Sequence, residues 1–147
     1  MLKLSVRQAF FDTSAVLEAV GRARAKALTR IGGHIRTTAQ RSIRRRKGPS
    51  APGSPPHAHK GQLRKFLFFS YDARSDSVVV GPALLPGGTN VRVGGTIPAM
   101  LELGGAVGAG RKQATEARVE ARPYMGPALG AAARADKLSK AWKDAVR

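Results

Sequence analysis

A fifteen-residue segment rich in proline and glycine constrains this chain more than any other stretch of its sequence. Residues 48–62 read GPSAPGSPPHAHKGQ and contain four prolines and three glycines. Proline lacks a backbone donor and glycine loses much entropy on ordering, so helix and strand are both disfavoured there. The sequence therefore predicts an extended Pro-rich arm over 48–62, stiffened by its prolines, between two regions of regular structure.

The region before the arm has the period of a helix. We predict one long helix, or two in line, over residues 12–46, because apolar residues in its second half recur at steps of three or four. Asp12 or Ser14 can accept the N–H groups of the first turn. Gly32 and Gly33 lie within the pattern and cost about 1 kcal/mol each relative to alanine. We therefore expect a kink or break at these two glycines.

Residues 63–83 are predicted to form a β-hairpin. LRKFLFFSY and SVVVGPA are the two strands, and DARSD provides the turn. The first strand is apolar on both faces, so we expect it to be covered on both sides. Helix and hairpin are the two segments with sustained apolar patterns, and each should cover the other. The predicted core comprises Leu28, Ile31, Ile35, Phe66, Phe68, Phe69, Val78 and Val80.

The rest of the chain alternates glycine-rich loops with short elements. The sequence predicts a loop over 84–96 with a possible strand at 91–93, a short helix or turn at 97–103, a flexible tract at 104–110, and either a strand or a helix at 113–122. A final helix is expected from Pro127 onward. Its apolar side is marked by Leu129, Ala132, Leu138, Trp142 and Val146.

Length and hydropathy favour one α+β domain over residues 1–147. We expect a small antiparallel β-sheet packed by a long N-terminal helix, with a C-terminal helix and long Gly/Pro-rich loops. No window offers 18 uninterrupted apolar residues, so a transmembrane helix is not expected, and the first residues lack the apolar region of a secretory signal. The chain has no cysteine, which excludes disulfides and fits a reducing cytosol.

Positive charge is the strongest compositional feature. The chain has 26 Lys+Arg against nine Asp+Glu, a formal net charge of +17. Residues 1–50 contain 12 basic and two acidic residues, and residues 111–147 contain nine and four. Such a field attracts polyanions or acidic protein surfaces, and composition does not choose between them. Four consecutive cations close the predicted helix: Arg44, Arg45, Arg46 and Lys47.

Residue types suited to catalysis or metal binding are few. The three histidines have no evident nucleophile beside them, no GxSxG turn surrounds a serine, and the acids are scattered. His57 and His59 are the one histidine pair, but without a cysteine or a nearby carboxylate a zinc site lacks ligands. The glycine-rich stretches do not fit a P-loop. We therefore predict no enzymatic activity and no catalytic, cofactor or metal site.

Three short segments follow one another in a recognisable order. Residues 55–65 read PPHAHKGQLRK, residues 97–105 read IPAMLELGG, and residues 121–129 read ARPYMGPAL. They resemble the signatures aP-x-x-TG-x-Lr, Y-x-x-x-vEfG and aRPFl-x-pAl of a phage neck and tail-completion family. These are small virion proteins at the head–tail junction of long-tailed phages. Lys60 replaces the usual threonine, and Leu103 replaces a frequent aromatic residue.

The resemblance implies a structural virion protein that joins the head-closure proteins to the tail and leaves a channel for DNA. It implies a homo-oligomeric ring, with about six or twelve copies favoured. The implied partners are head-closure or adaptor proteins, a tail terminator or tail tube, and the genomic DNA in the channel, with no membrane. The implied location is the neck of the virion, and the host cytoplasm during assembly.

The expected interface residues lie in the arm, in the basic run and in the second and third motifs. They are Arg44, Arg45, Arg46, Pro52, Pro55, Pro56, His57, Glu102, Arg122, Pro123 and Tyr124. Glu102 is the one acid in a mostly apolar motif. It can bind backbone N–H groups or an arginine such as Arg122 and so lock two loops together, or it can be a half-exposed surface residue.

A second class of function stays open at this point. A free nucleic-acid-binding protein of histone-like or ribosomal type also fits a charge of +17. The apolar run over 66–71 counts against that alternative, as does the lack of a helix-turn-helix, zinc-finger or RNA-binding aromatic motif.

Overall fold

A computed structural model describes residues 12–83, 90–91, 95–107 and 117–146. A long N-terminal helix packs against a two-stranded antiparallel hairpin and against C-terminal helices, so the α+β prediction is confirmed. The elements in chain order are α1 Thr13–Ser42, α2 Gln62–Lys65, β1 Leu67–Asp72, β2 Ser77–Pro82, β3 Asn90–Val91, β4 Gly95–Thr96, α3 Ile97–Leu103, β5 Gly105–Val107, β6 Ala117–Val119, α4 Met125–Arg134 and α5 Lys137–Val146.

Helix α1 begins as the sequence predicts and ends earlier. The Asp12 side chain accepts a hydrogen bond from the backbone N–H of Ala15, which caps the first turn. This bond is the main reason that the pKa of the Asp12 carboxyl lies below its usual value. The helix ends at Ser42, and Ile43 turns into extended backbone with its side chain buried. The four cations of residues 44–47 therefore lie beyond the helix, not in its last turn.

Of the kink or break expected at the double glycine, the break is wrong, because α1 continues through both residues. Gly32 lies directly against the hairpin. A Cβ atom there would lie 2.5 Å from Val78 Cγ2 and 2.9 Å from Phe69 Cδ2. The missing side chain lets helix and hairpin approach closely, and this packing offsets the poor helix propensity of glycine.

The hairpin is shorter than predicted, because residues 62–65 form the single turn α2 before β1 begins. Strands β1 and β2 pair Phe69 with Val80 and Tyr71 with Val78. One face of the hairpin packs on α1, as the contact at Gly32 shows. The other face is exposed: Phe68 keeps 50% of its surface and Val79 keeps 64%. The expectation that the first strand is covered on both sides is therefore wrong for the chain in isolation.

The core lies closer to the end of α1 than the sequence indicates. Its buried residues are Ile35, Ala39, Ile43, Ala58, Leu67, Tyr124, Ala128 and Ala132. Ile35 was predicted to be buried, and Ile31 and Val80 pack against the cluster. Phe68 does not, since the alternation of the strand turns Leu67 inward and Phe68 outward. Alanines occupy the buried positions of the C-terminal helices, whereas Leu129 is exposed.

The C-terminal half contains more regular structure than predicted. Helix α3 covers the expected residues, and the Thr96 side chain caps it by accepting from the N–H of Ala99. Strands β5 and β6 pair residues 105–107 with residues 117–119. Residues 105–107 are therefore not part of a flexible tract, and residues 117–119 form a strand and not a helix. The final helix is two helices, separated at Asp136, where φ is +52°. The predictions for residues 84–89, 92–94 and 108–116 lie outside the described residues.

None of the helices in the described ranges is long and apolar enough to cross a membrane.

Candidate interaction surfaces

Glu102 joins the second motif to the third. Its Oε2 accepts hydrogen bonds from the backbone N–H groups of Tyr124 and Met125, at 2.8 and 3.0 Å. Its Oε1 accepts from the N–H of Gly126 at 2.8 Å. These are the first, otherwise unpaired donors of α4, whose positive dipole end also favours a carboxylate. Of the roles open to Glu102 from its sequence, the structure selects backbone binding.

Arg122 provides a second connection at the same place. Its backbone N–H donates to the carbonyl of Leu101, and its Nε donates to the carbonyl of Ser50 at 2.9 Å. The N–H of Gly53 donates to the carbonyl of Ala121 at 2.8 Å. The arm, the end of α3 and the segment before α4 are thus fastened to one another through backbone groups. Arg122 binds carbonyl groups and not Glu102, although both belong to this junction.

Gly104 allows this junction to close. It ends α3 with a φ of +73°, where a side chain is strained. A Cβ atom there would also lie 3.0 Å from the carbonyl oxygen of Val119 and 3.0 Å from the backbone nitrogen of Ala121. Glycine therefore permits both the turn after α3 and the close approach of β6.

Two of the expected interface residues belong to the interior. Tyr124 retains 1% of its surface and Pro56 less than 2%, so their side chains hold the domain together and are not open to a partner. Burial, with the nearby negative charge of Glu102, raises the pKa of Tyr124 to about 12. Pro123 beside it is half-buried.

The arm is folded onto its own chain. The N–H of Ala58 donates to the carbonyl of Arg44 at 3.0 Å, and His57 forms a parallel bridge with Arg44. The His57 ring bonds to the carbonyl of Gly48 through Nδ1 at 3.2 Å. Residues 48–61 otherwise lack helix and strand, as predicted. The arm is anchored at the buried Pro56 and Ala58, and most of its other residues, including Pro52, remain exposed.

A basic surface lies where α1 meets the arm. We define it by Arg41, Arg44, Arg45, Arg46 and Lys47, all of which are exposed. Within the described residues, the ion pairs join other side chains: Arg22 with Glu18, Arg24 with Asp76, and Arg30 with Asp144. The basic surface is therefore not neutralised by carboxylates in the part of the chain that the structure describes, and it is open to an external anion.

Among the described residues, the exposed apolar side chains include two groups that lie apart from each other. The first is the outer hairpin face, defined by Phe68 and Val79. The second lies between the N-terminal half of α1 and α5, where Val16, Val20, Trp142 and others line a groove of about 480 Å³. Each of these three side chains keeps more than 40% of its surface exposed. The sequence predicts Phe68 in the core and Trp142 on the apolar side of the last helix, whereas the structure leaves both side chains exposed, at 50% and 42% of their surface.

Across the described ranges, no three side chains of His, Asp or Glu come together in a way that would hold a metal ion. Sequence reasoning missed Ser50, whose hydroxyl is buried and has no hydrogen-bond partner among the described residues. Nothing in the sequence around Ser50 marks it, because its burial arises from the folding of the arm.

No protein-family model matches the chain, and no similar curated protein or solved structure was found. Its function must therefore be inferred from its own residues and their geometry.

Proposed function

We propose that this protein is a structural component of a phage neck, where it connects the head to the tail of a long-tailed phage. The observation that carries the proposal is that the three motifs meet in space. Glu102 of the second motif caps the helix of the third, and Ala58 of the first lies in the same buried cluster as Tyr124. Segments far apart in sequence are expected to meet in this way if they build one structural unit.

The exposed apolar surfaces support assembly into a ring. A ring forms through a heterologous interface, in which one surface of a subunit contacts a different surface of the next. The described residues provide two such candidates, the outer hairpin face and the groove between α1 and α5. Burial of either would remove from water large side chains that the isolated chain leaves exposed. We propose a homo-oligomeric ring, of about six or twelve copies by resemblance.

The basic surface supports contacts with acidic partners. Head-closure or adaptor proteins on one side and a tail terminator or tail tube on the other are the proposed neighbours, and the genomic DNA passes through the ring. A strongly basic channel would retain the duplex by its phosphates. We therefore propose that Arg44, Arg45 and Arg46 face mainly the carboxylates of adjacent rings.

The alternative is a free nucleic-acid-binding protein of histone-like or ribosomal type. The net charge and the exposed arginine run favour it. The exposed Phe68 and Val79 count against it, because binding to phosphates leaves an apolar face without a partner.

Labelling of purified phage particles tests the proposal. Gold-conjugated antibody against this chain, viewed by negative-stain electron microscopy, is expected to mark the head–tail junction. A phage in which the gene is deleted should accumulate unjoined heads and tails, and a plasmid copy should restore joining. The neck assignment would be contradicted if the gold label were absent from the head–tail junction, or if heads and tails joined normally after the deletion.

A further inference from the structure

The arm and the end of α1 line two adjoining cavities of about 680 and 500 Å³, both open to solvent. Ser50 and His57 line both of them. The cationic side chains around the two cavities are Arg41, Arg44, Lys47 and Arg122. No acidic side chain is among the described residues that line either cavity. The walls therefore carry four formal positive charges without a compensating carboxylate, which favours a bound anion.

Ser50 places a neutral donor in the wall that the two cavities share. The residue keeps 6% of its surface, and its Oγ has no hydrogen-bond partner in the described part of the chain. A buried hydroxyl without a partner is unfavourable, and such groups occur where a ligand or water completes the bond. This hydroxyl is an observation independent of the charge around it.

Arg122 is held in place before any ligand arrives. Its Nε donates to the carbonyl of Ser50 and its Nη1 to the carbonyl of Glu120, at 2.9 and 3.1 Å. Two carbonyl contacts fix the plane of the guanidinium, and its other N–H groups are not used by these bonds. A guanidinium that is already oriented loses little entropy when it binds an oxyanion.

The geometry points to a binding site for a terminal phosphate group, formed by Ser50, Arg122 and the cations at the end of α1. A phosphate monoester or inorganic phosphate carries a charge of about −1.5 to −2 and three strong acceptor oxygens. Four cations and a hydroxyl exceed what a single carboxylate can accept, whereas they suit a phosphate. The inference goes beyond the proposed neck function and does not depend on it.

The recessed position of Ser50 selects a terminal phosphate over the backbone of duplex DNA. A phosphodiester in a duplex offers two non-bridging oxygens on a convex surface, which fits poorly against a wall that contains Ser50, a residue that keeps only 6% of its surface. A terminal phosphate is linked through one oxygen or none, so it can enter a cavity. Free phosphate and a phosphorylated end of another molecule share this chemistry, and the experiment separates them from duplex backbone.

Isothermal titration of the full chain with inorganic phosphate tests the site. We expect saturable binding of one phosphate per chain, with a Kd of about 1 mM or lower. Arg44→Gln and Arg122→Gln should each weaken binding about tenfold, and Ser50→Ala about fivefold. The control Arg74→Gln removes the same charge from the hairpin turn and should change the Kd less than about twofold. The Arg44 side chain is exposed, so Arg44→Gln keeps the test valid if Arg122→Gln fails to fold.

Two competition experiments identify the ligand. Acetate should compete at least about tenfold less well than phosphate, because a carboxylate carries less charge. A duplex oligonucleotide with 5′-phosphates should displace inorganic phosphate, whereas the same duplex without terminal phosphates should not. Thermal stability without phosphate should be retained in Ser50→Ala, which removes an unpaired hydroxyl. The proposal is overturned by the absence of saturation, by equal weakening in Arg74→Gln, by equal competition from acetate, or by displacement with the unphosphorylated duplex.

Discussion

The carboxylate of Glu102 lies 2.8 Å from the backbone nitrogen of Tyr124, and this contact joins the ends of two helices that are 22 residues apart in sequence. The side chain replaces a cap that α4 itself lacks, since Tyr124 supplies no side-chain hydrogen bond at the N-terminus of that helix. It also places a negative charge near the phenol of Tyr124. Capping of α4 and attachment of the second motif to the third are therefore the same interaction.

Replacement of Glu102 should destabilise the domain. Glu102→Gln keeps one oxygen acceptor, loses the charge, and turns an NH₂ group toward backbone donors, so the free energy of unfolding should fall by about 2 kcal/mol. Chemical denaturation measures this difference. The control Glu120→Gln removes an equal charge from an exposed side chain and should cost less than about 0.5 kcal/mol. Equal effects of the two substitutions would show that the cap does not stabilise α4.

Two glycines in the same helix should respond to alanine with opposite signs. Gly32→Ala places a methyl group 2.5 Å from Val78 Cγ2, and this overpacking should lower stability by about 1 to 3 kcal/mol despite the better helix propensity. Gly21→Ala meets nothing within 4 Å and should raise stability by up to about 1 kcal/mol. Thermal unfolding of both variants measures the contrast. A stabilising Gly32→Ala would mean that helix and hairpin do not pack as closely as described.

Neighbouring residues in β1 should also differ. Leu67 is fully buried, so Leu67→Ala should cost about 2 to 5 kcal/mol. Phe68 keeps half of its surface, so Phe68→Ala should cost about 1 kcal/mol and should instead reduce ring assembly. Denaturation measures the first effect, and mass photometry of the assembled protein measures the second. A large loss of stability in Phe68→Ala with unchanged assembly would return this residue to the core.

Stability should fall at high pH through Tyr124. Its pKa rises from 10.0 to about 12 in the folded state, so its contribution is fully present below pH 10 and is lost as the pH rises through the folded value. Relative to Tyr124→Phe, the free energy of unfolding should drop by about 2 to 3 kcal/mol over that interval. Urea denaturation at several pH values gives the difference between the two proteins. A difference that does not change with pH would show that the phenol is not buried.

The arginine run should control head–tail joining through salt-sensitive contacts. Replacement of Arg44, Arg45 and Arg46 together by glutamine should weaken joining of purified heads and tails and reduce its dependence on salt. DNA ejection from joined particles should remain normal. A particle-joining assay across a salt series gives the first quantity, and ejection of labelled DNA gives the second. Normal joining with altered ejection would assign these arginines to the channel instead.

Several features of this chain follow from local sequence alone. The cap at Asp12, the helix at 97–103 with Pro98 in its first turn, and the strand pairing around the DARSD turn depend on residues close in sequence. Period and turn chemistry act over a few residues, so they can be recognised without knowledge of the fold. The backbone-binding role of Glu102 was one of the roles its sequence left open.

Tertiary packing decided the remainder. From helix propensity alone, Gly32 and Gly33 predict a kink or break. The hairpin packs closely on Gly32, and this packing outweighs the low propensity of glycine. Phe68 and Leu67 are similarly apolar. Only the face that β1 turns toward the core determines which of the two is buried. Ser50 has no sequence signature, since its burial depends on an arm that bonds to Arg122, 72 positions away. Local chemistry determined the elements, and contacts between distant segments determined which of their faces remain open to partners.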